Sequence, residues 1–363
     1  MKAKKSEFGE RRRWFQGVLA QAGLDGAFLS SPVSVRYLTG FTGSNSMLLM
    51  SASGAELFTD PRYTVQVERE ADAERKTVAA GVLLNAVCAS VKKRRMRRLG
   101  FEASHLTYEG YARLGEGVGA KVALKPLGRE LAERRAVKSA GEIAEIRRAV
   151  AINSEAYERA LKQFRVGMLE SELAAELDHQ MRLLGAECAA FDTIVASGAH
   201  AALPHAQPRA VPVKANALLL IDMGAQAGGY ASDMTRMALP GKPSRRAVQL
   251  YRAVWEAQLA GIDATRPGAT ASSVDHAARR VLKSEGLDEL FIHSTGHGLG
   301  LEIHEHPRIG KTEECELQPG MVITIEPGVY VEGWGGIRIE DTVLVTERGC
   351  EVLTPTSKEL RVL

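Results

Sequence analysis

Apolar and polar residues follow two different periodicities along the chain, and these predict the order of helices and strands. Helical spacing of apolar positions predicts helices at residues 7–24, 61–70 and from about 85 into 92–98. Short apolar runs between glycines predict strands at 27–29, 47–50, 57–59 and 100–102. Because strands and helices alternate here, we predict a small α/β domain over residues 1–130.

The pattern becomes mainly helical after residue 130, which predicts a second domain over residues 131–363. Helices are predicted at 131–163, 169–184, 244–262 and 272–285. Ser139 with Glu142 three positions later fits a capping box. The third of these helices has an apolar stripe of Val248, Tyr251, Trp255, Leu259 and Ile262. Each pair of helices precedes a predicted β-hairpin, which indicates a rough internal duplication.

The two predicted hairpins each contain a pair of acidic residues. Their sequences are LLLIDMGAQAGGYASDMTR and VITIEPGVYVEGWGGIRIEDT. In each, an apolar run ends in an acid, glycines form a turn, and the returning strand carries a second acid. Because a hairpin returns its second strand beside its first, Asp222 and Asp233 are predicted to converge, as are Glu326 and Glu340.

Four carboxylates and one histidine on these strands predict a metal site. Four adjacent carboxylates cannot all ionise without compensation, and divalent cations supply it. His297 lies between Gly296 and Gly298, which let its backbone approach an ion closely. Carboxylates shared by two ions are typical of hydrolytic enzymes, so hydrolysis is the leading function. Any one acid alone is better explained as a turn or edge residue; the combination is not.

Three further histidines are candidates for substrate contacts. His293 and His304 flank His297, and His205 lies in the proline-bounded loop Leu-Pro-His-Ala-Gln-Pro before the first hairpin. The segment that begins at His304 is not the HExxH zinc motif, because Arg308 stands where the second histidine would be. Thiolates are also absent from the predicted site, which argues against a closed structural zinc site.

Composition narrows the class of protein. With 363 residues, 45% of them hydrophobic and 25% charged, the chain is typical of a globular protein of two domains. Its net charge of +3 is small, and the basic run at 92–98 has no interleaved aromatic residue, so no nucleic-acid partner is expected. Four cysteines without a CxxC pair, no apolar leader and no long apolar stretch predict a cytoplasmic protein without a membrane segment.

The motifs Asp–11–Asp, Gly-His-Gly, Glu-Pro-Gly and Arg-Ile-Glu-Asp together resemble those of the pita-bread metallopeptidases, which include aminopeptidase P, prolidase (Xaa-Pro dipeptidase) and methionine aminopeptidase. The resemblance implies an α+β fold: a pita-bread catalytic domain with pseudo-twofold halves after a creatinase/prolidase-type N-terminal domain. The motifs YLTGFTGS and LFTDPRY are similar to those of that N-terminal domain. Methionine aminopeptidase lacks this domain and creatinase lacks the metal set, so the proline-directed branch fits better.

The resemblance also implies a role for each site residue. The metal ligands would be Asp222, Asp233, His297, Glu326 and Glu340. Asp233 and Glu340 would bridge both ions, Asp222 would bind one ion, and His297 with Glu326 the other. The catalytic and substrate residues would be Glu326, His293, His304, His205 and Arg338. Glu326 would accept a proton from water, His293 would stabilise the oxyanion, and Arg338 would lie beside the bridging glutamate.

The expected function is removal of an N-terminal residue that precedes proline, by an Xaa-Pro aminopeptidase. Xaa-Pro dipeptidase is the alternative, and a non-catalytic binding module on the same fold is a more remote one. Two divalent metal ions are the expected cofactors, manganese first, with cobalt, zinc and iron as alternatives. Small peptides with proline in the second position are the expected partners, and family habit implies a homodimer.

Overall fold

The computed structural model describes residues 2–363, with side chains described from Glu7 onward. It consists of two compact units, one ending at Leu131 and the other spanning Ala132–Leu363. Among the described residues, no helix is both long and apolar enough to cross a membrane.

The first unit is built on one six-stranded sheet. Its strands are β1 Gly26–Leu29, β2 Ser46–Ser51, β3 Gly54–Thr59, β4 Arg75–Val78, β5 Arg98–Phe101 and β6 Ala123–Pro126, in the order β4-β3-β2-β1-β5-β6. Its helices are α1 Lys2–Gln21, α2 Pro32–Thr39, α3 Thr64–Glu70, α4 Leu83–Lys93 and α5 Tyr108–Val118. Phe28, Leu49 and Phe58 of the sheet are buried in one core with Val87 and Leu114 of α4 and α5. The structure has the predicted alternation of strands and helices, but α2, β4, α5 and β6 were not predicted. The helix predicted to continue into residues 92–98 ends at Lys93, and Arg98 begins β5.

The helix predicted at 131–163 is divided in two. α6 is Glu130–Ala136 and α7 is Ala140–Gln163. Ser139 begins α7 with the predicted capping box: its Oγ accepts from the Glu142 N–H at 3.2 Å, and Glu142 Oε2 accepts from the Ser139 N–H at 2.9 Å. Since an N-cap residue has extended backbone angles, the preceding helix cannot run through it. Val137 instead pairs with Met321 as an isolated β-bridge.

The second unit repeats one arrangement, a pair of helices followed by a sheet. In the first half, α7 and α8 Glu170–Leu183 precede β7 Cys188–Ala189, β8 Ile194–Ser197, β9 Leu219–Met223, β10 Ala225–Ala227, β11 Tyr230–Ala231 and β12 Met234–Leu239. In the second half, α9 Arg245–Ala264 and α10 Ala271–Ser284 precede β13 Gly296–Gly298, β14 Glu305–Ile309, β15 Val322–Ile325, β16 Gly328–Val331, β17 Gly335–Arg338, β18 Asp341–Val345, β19 Cys350–Val352 and β20 Arg361–Val362. The main sheets have the orders β20-β12-β9-β8 and β14-β13-β15-β18-β19.

The glycine-rich turn predicted in each half is itself a small hairpin. β10 and β11 lie between β9 and β12 and join a separate sheet with β7, while β16 and β17 lie between β15 and β18. The strands on either side still pair antiparallel, with Asp222 opposite Thr235 and Ile325 opposite Asp341. Glu326 follows the end of β15 and Glu340 precedes β18, so the acids gather at the strand ends where the small hairpins begin.

The apolar stripe predicted for α9 is only partly buried. Tyr251 is buried, but Val248 is 49% exposed and Leu259 is 42% exposed. The face against the core is instead formed by Ala247, Leu250, Tyr251, Ala253, Val254, Ala257, Gln258 and Gly261. The prediction was wrong because small residues pack closest to the sheet, and the larger ones lie on the neighbouring helix face.

Candidate metal centre

Donor atoms from both halves of the second unit converge at the strand ends. One donor atom each from Asp233, His297 and Glu340 lies within 4.8 Å of the others. His297 Nε2 is 3.6 Å from Asp233 Oδ2 and 3.3 Å from Glu326 Oε1. Asp222, the fifth predicted ligand, is linked to the same cluster by hydrogen bonds: Arg338 donates to both Asp222 and Thr235, and Thr235 donates to Glu340. The structure therefore brings the predicted ligands into one site.

The acids of this cluster lie in an environment that opposes their ionisation. Burial, followed by the charge of Glu340, raises the pKa of Asp233 well above its usual range. Burial likewise raises the pKa of Glu340, with Glu326 adding to the rise. Burial raises the pKa of Glu326 to about 8, although the Arg338 guanidinium opposes that rise. One guanidinium does not balance four carboxylates, so the cluster requires further positive charge.

Three buried oxygens of the cluster have no hydrogen-bond partner among the described residues. They are Asp222 Oδ1, Asp233 Oδ1 and Glu340 Oε1. Leaving a buried acceptor unpaired costs roughly 1–3 kcal/mol and more for a charged group, so such atoms are rare in native proteins. Divalent cations would both neutralise these carboxylates and occupy their free lone pairs. The residues present therefore fit a metal centre.

The ring of His297 is held in the tautomer that a metal ligand needs. Its Nδ1 lies 3.0 Å from the Gly298 carbonyl oxygen, which only accepts, so Nδ1 carries the proton and the Nε2 lone pair faces the acids. Burial, then the neighbouring His304, lowers the pKa of His297 to about 4, which keeps the ring neutral. A Cβ on Gly296 would lie 1.9 Å from the Thr324 carbonyl oxygen, so only glycine permits this close approach of β13 and β15.

Arg338 connects the two acidic pairs. Its Nη2 donates to Asp222 Oδ2, and its Nε donates to Thr235 Oγ1 at 3.1 Å. Thr235 Oγ1 in turn donates to Glu340 Oε2 at 2.7 Å. Arg338 Nη1 donates to the Tyr330 hydroxyl at 2.7 Å. Asp222 and Glu340 thus each have one oxygen fixed by the protein and one left unpaired. The i, i+2 spacing along the strand predicts that Thr235 faces the same side as Asp233, whereas nothing in the sequence predicts Tyr330.

His293 does not fit the predicted role of oxyanion donor. Its Nδ1 lies 2.8 Å from the Ser294 carbonyl oxygen and therefore donates, while its Nε2 accepts from the Tyr330 hydroxyl at 2.8 Å. Burial, followed by the charge of Arg338, lowers the pKa of His293 to about 4, so the ring is neutral. With both ring nitrogens engaged, His293 has no free N–H to offer, and it serves as the end of a chain from Arg338 through Tyr330.

His304 and His205 have rings that are free to meet a substrate. The His304 ring contacts the His297 ring edge-on, with centroids 4.4 Å apart. Burial, followed by the charge of His205, lowers the pKa of His304. His205 is exposed, and the carbonyl of the preceding Pro204 accepts from Arg338 Nη1 at 3.2 Å. In the hydrogen bonds of the described part of the chain, neither ring takes part.

Arg308 is a cation beside the centre that the sequence analysis used only to exclude a zinc motif. It lies directly opposite His297 in the antiparallel pairing of β13 and β14. Residues opposite each other in such a pair project from the same face of the sheet. Arg308 is exposed, and its Nε donates to Ser294 Oγ at 2.5 Å. The position of Arg308 beside His297 follows from the pairing of β13 with β14, and the spacing of the two residues in the sequence does not predict it.

The segment that carries His293 is fastened to α10 by a buried ion pair. Asp275 and Arg279 are paired at 2.7 Å, and the Asp275 carboxylate is fully buried. Asp275 Oδ1 accepts from the N–H of Thr295 at 3.1 Å and from its hydroxyl at 2.8 Å. Arg279 donates to the carbonyls of Phe291 at 2.9 Å and of His293. The helix thereby fixes the backbone on both sides of the His293 ring.

A second buried cluster fixes the segment that carries His304. The Glu305 carboxylate is 3% exposed and pairs with Arg135 and, at 3.2 Å, with Lys138. Arg135 also binds Glu302 at 2.6 Å, on the other side of His304. Burial would raise the pKa of Glu305, but the charges of Lys138 and Arg135 lower it overall, so the carboxylate stays ionised.

Comparisons with protein-family models match nearly the whole chain. The model of metallopeptidase family M24 matches residues 144–347, which include every predicted metal ligand. The model of the creatinase/prolidase N-terminal domain matches residues 11–137. The predicted α+β fold, with a pita-bread catalytic domain after a creatinase/prolidase-type N-terminal domain, is confirmed.

Relatives of similar length agree with these matches. The Xaa-Pro dipeptidase of Pyrococcus furiosus is 36% identical over 338 residues, covering 93% of this chain and 95% of its own. The solved structure of an Xaa-Pro dipeptidase from Bacillus anthracis superposes with a TM-score of 0.95 at 37% identity, covering 98% of this chain and 100% of its own. The solved structure of an X-Pro aminopeptidase from Thermotoga maritima gives a TM-score of 0.88 at 36% identity, covering 94% of this chain and 98% of its own.

Proposed function

The chain belongs to metallopeptidase family M24, and from this premise we propose that it hydrolyses Xaa-Pro dipeptides with two divalent metal ions. The observation that carries the proposal is the cage of acids and one neutral histidine, in which three buried carboxylate oxygens have no partner among the described residues. A binding module without chemistry would not need to keep such unpaired atoms together.

Five side chains would hold the ions: Asp222, Asp233, His297, Glu326 and Glu340. Bound ions would supply concentrated positive charge, which lowers the pKa of a water molecule and polarises a peptide carbonyl. Manganese is the ion we expect, since four carboxylates and one imidazole form an oxygen-rich donor set without sulfur. Cobalt, zinc and iron are the alternatives that a metal-by-metal comparison of activity distinguishes.

Glu326 is placed to accept and return a proton. Its Oε1 accepts from Thr324 Oγ1 at 3.1 Å and faces His297 Nε2 at 3.3 Å, whereas its Oε2 has no hydrogen bond within the described part of the chain. This free oxygen would take the proton of the attacking water and pass it to the departing prolyl nitrogen. His304, whose ring N–H is unused, would donate to the carbonyl oxygen as negative charge develops there. His205 would contact the substrate from the loop on the open side.

Arg308 is the reason to propose a dipeptidase first. A dipeptidase must bind the free carboxylate of proline, and a guanidinium is well suited to that because it donates two parallel hydrogen bonds. Arg308 supplies such a guanidinium on the face of the sheet that carries His297. The relatives also favour the dipeptidase, which the sequence prediction kept as the alternative, over the aminopeptidase it preferred. The aminopeptidase stays as the second candidate, because the similar Thermotoga maritima structure bears that name.

The test compares Xaa-Pro dipeptides with Xaa-Pro-Yaa tripeptides in the presence of manganese, cobalt, zinc or iron. We expect the dipeptides to be cleaved with the higher kcat/KM. Arg308→Gln is expected to raise the KM for dipeptides about ten-fold, because a hydrogen bond to a charged group contributes roughly 1.5–3 kcal/mol. Arg159→Gln on α7, an exposed arginine paired with Glu155, is the matched control. Preferential cleavage of tripeptides would establish the aminopeptidase, and no cleavage of either with any metal would refute the proposed function.

A further inference from the structure

Glu170, the first residue of α8, has a fully buried carboxylate that lies outside the metal centre. It accepts hydrogen bonds from Ser197 N (2.8 Å), Ser197 Oγ (2.7 Å), His200 Nδ1 (3.1 Å), Arg209 N (3.2 Å), Arg209 Nε (3.0 Å) and Arg209 Nη2 (3.0 Å). Burial alone would raise the pKa of Glu170, but the bonds from Arg209 and Ser197 lower it to about 2. The group is therefore an ionised hub for several backbone and side-chain donors.

These bonds fasten both ends of one loop, residues 197–209, to the start of α8. Glu170 binds Ser197 at one end and Arg209 at the other. Backbone hydrogen bonds also hold the Arg209 end of the loop. The Ser171 N–H donates to the Arg209 carbonyl at 3.1 Å, and the Glu170 N–H donates to the Val211 carbonyl at 3.1 Å. Neither end can shift without breaking a bond to the buried carboxylate.

His205 lies inside this fastened loop, beside the metal centre. The loop backbone rests directly on β17, where a Cβ on Gly336 would lie 2.0 Å from the Ala201 carbonyl oxygen. The Pro204 carbonyl accepts from Arg338 at 3.2 Å. His205 directly follows Pro204, so the loop holds it next to Arg338, whose Nη2 donates to Asp222 in the proposed ligand set. A small displacement of the loop would therefore move His205 relative to the substrate.

We propose that Glu170 and Arg209 form a positioning clamp that holds His205 where it meets the substrate, an inference that rests on the proposed peptidase function. Arg209 is bidentate on the carboxylate, with Nε on one oxygen and Nη2 on the other, so it fixes direction as well as distance. When the clamp is removed, the loop regains conformational freedom that substrate binding must again restrict. The effect belongs to substrate binding, because no hydrogen bond or ion pair in the described part of the chain joins Glu170 or Arg209 to a proposed metal ligand.

Arg209 is the better of the two positions for the test, since its side chain is 45% exposed while that of Glu170 is fully buried. Arg209→Ala is expected to raise the KM for an Xaa-Pro dipeptide about ten-fold, because one hydrogen-bonded pair of charged groups is lost. The kcat is expected to stay within about two-fold of that of the unsubstituted protein. Arg209→Lys, which keeps the charge but not the fork, is expected to recover part of this loss. Arg159→Ala on α7, an arginine of 45% side-chain exposure, is the matched control and is expected to change neither parameter.

A double-mutant cycle with His205→Ala separates positioning from a general loss of stability. If the clamp acts through His205, adding Arg209→Ala to His205→Ala is expected to raise KM no further. Fully additive effects of the two substitutions, an unchanged KM in Arg209→Ala, or a loss confined to kcat would each overturn the proposal.

Hydrogen exchange of the metal-free protein tests the clamp without any activity. In Arg209→Ala, amides of residues 197–209 are expected to exchange about ten-fold faster or more, while those of 291–305 keep their rate. Arg159→Ala is expected to leave both segments unchanged. Unchanged exchange in 197–209 would refute the clamp. If the unsubstituted protein cleaves no Xaa-Pro peptide, the proposed function fails, and this exchange result still decides whether the loop is clamped.

Discussion

At the scale of single residues, two backbone carbonyls determine what the histidines can do. The Gly298 carbonyl accepts a hydrogen bond from His297 Nδ1–H and leaves the Nε2 lone pair facing the acids. The Ser294 carbonyl likewise accepts from His293 Nδ1–H and leaves Nε2 to accept from Tyr330. Rings with the same tautomer thus have different roles, one facing acids and the other facing a hydroxyl donor.

Tyr330→Phe tests the series of hydrogen bonds that runs from Arg338 through Tyr330 to His293. The substitution removes the hydroxyl between the two side chains, so one guanidinium N–H and one ring nitrogen lose their buried partner. We expect kcat/KM for Xaa-Pro dipeptides to fall about ten-fold, in line with roughly 1–3 kcal/mol for an unsatisfied buried group. Steady-state kinetics with a thermal melt of the metal-free protein provide the measurement. Unaltered kinetics would show that the hydrogen bonds from Arg338 through Tyr330 to His293 have no role in catalysis.

Glu340→Gln tests whether the buried charge serves metal binding rather than folding. In the unsubstituted chain, manganese at one hundred times its Kd is expected to stabilise the fold by about 2.7 kcal/mol. The variant is expected to lose most of this gain, yet to be at least as stable without metal, since Glu340 repels Glu326 and Asp222.

The readout for Glu340→Gln is urea unfolding with and without manganese. Glu351→Gln is the matched control, because Glu351 is a half-exposed acid paired with Arg147 and is not one of the proposed ligands. Metal stabilisation that persists undiminished in Glu340→Gln would contradict the role of this residue.

Sequence reasoning worked at residues whose neighbours are close in the chain and failed where partners are distant. The rule that residues i and i+2 share a strand face explains why Asp233 and Thr235 both reach Glu340. Tyr330 and the Glu170 hub depend instead on contacts across the fold. The structure shows Tyr330 packed against Gly336, which lies opposite it in β16–β17, where a Cβ would lie 2.8 Å from its ring.

At the scale of elements, the helices act as supports for the loops that carry the histidines. α8 anchors the loop with His205 through Glu170, and α10 anchors the segment with His293 through Asp275 and Arg279. Periodicity correctly predicts that these helices exist. It does not predict which of their polar residues turn inward, and on α9 it chose the wrong face because small residues at the contact carry little hydrophobic signal.

Asp275→Asn tests the α10 anchor. Asp275 is fully buried and forms an ion pair with Arg279, whose side chain is 13% exposed. Replacing Asp275 with the neutral Asn therefore leaves the charge of a buried guanidinium without a partner. We expect a loss of about 3 kcal/mol in the free energy of unfolding of the metal-free protein, measured with urea. Glu155→Gln, which breaks the exposed pair on α7, is the control and is expected to cost under about 1 kcal/mol. Equal small losses in the two variants would contradict the anchoring role.

At the scale of the whole molecule, the second unit is two similar halves that each supply acids to one centre. Asp222 and Asp233 come from the first half, whereas His297, Glu326 and Glu340 come from the second. The duplication explains why the sequence shows the same acid–turn–acid order twice. The α+β class and the domain types were predictable because whole motifs, rather than single residues, carry them.

The homodimer stays a prediction, and light scattering during gel filtration measures it. We expect a mass of about twice the 39.3 kDa of one chain. A mass near that of one chain at micromolar concentration would contradict the dimer without affecting the metal centre.

The measurement that most directly tests the account is the number of manganese ions bound per folded chain, by titration calorimetry and by elemental analysis after dialysis. Four acids and one histidine gathered from both halves are expected to hold two ions per chain, and His297→Ala is expected to hold no more than one. A folded, unsubstituted protein that binds one ion or none in excess manganese would contradict the proposed dinuclear centre.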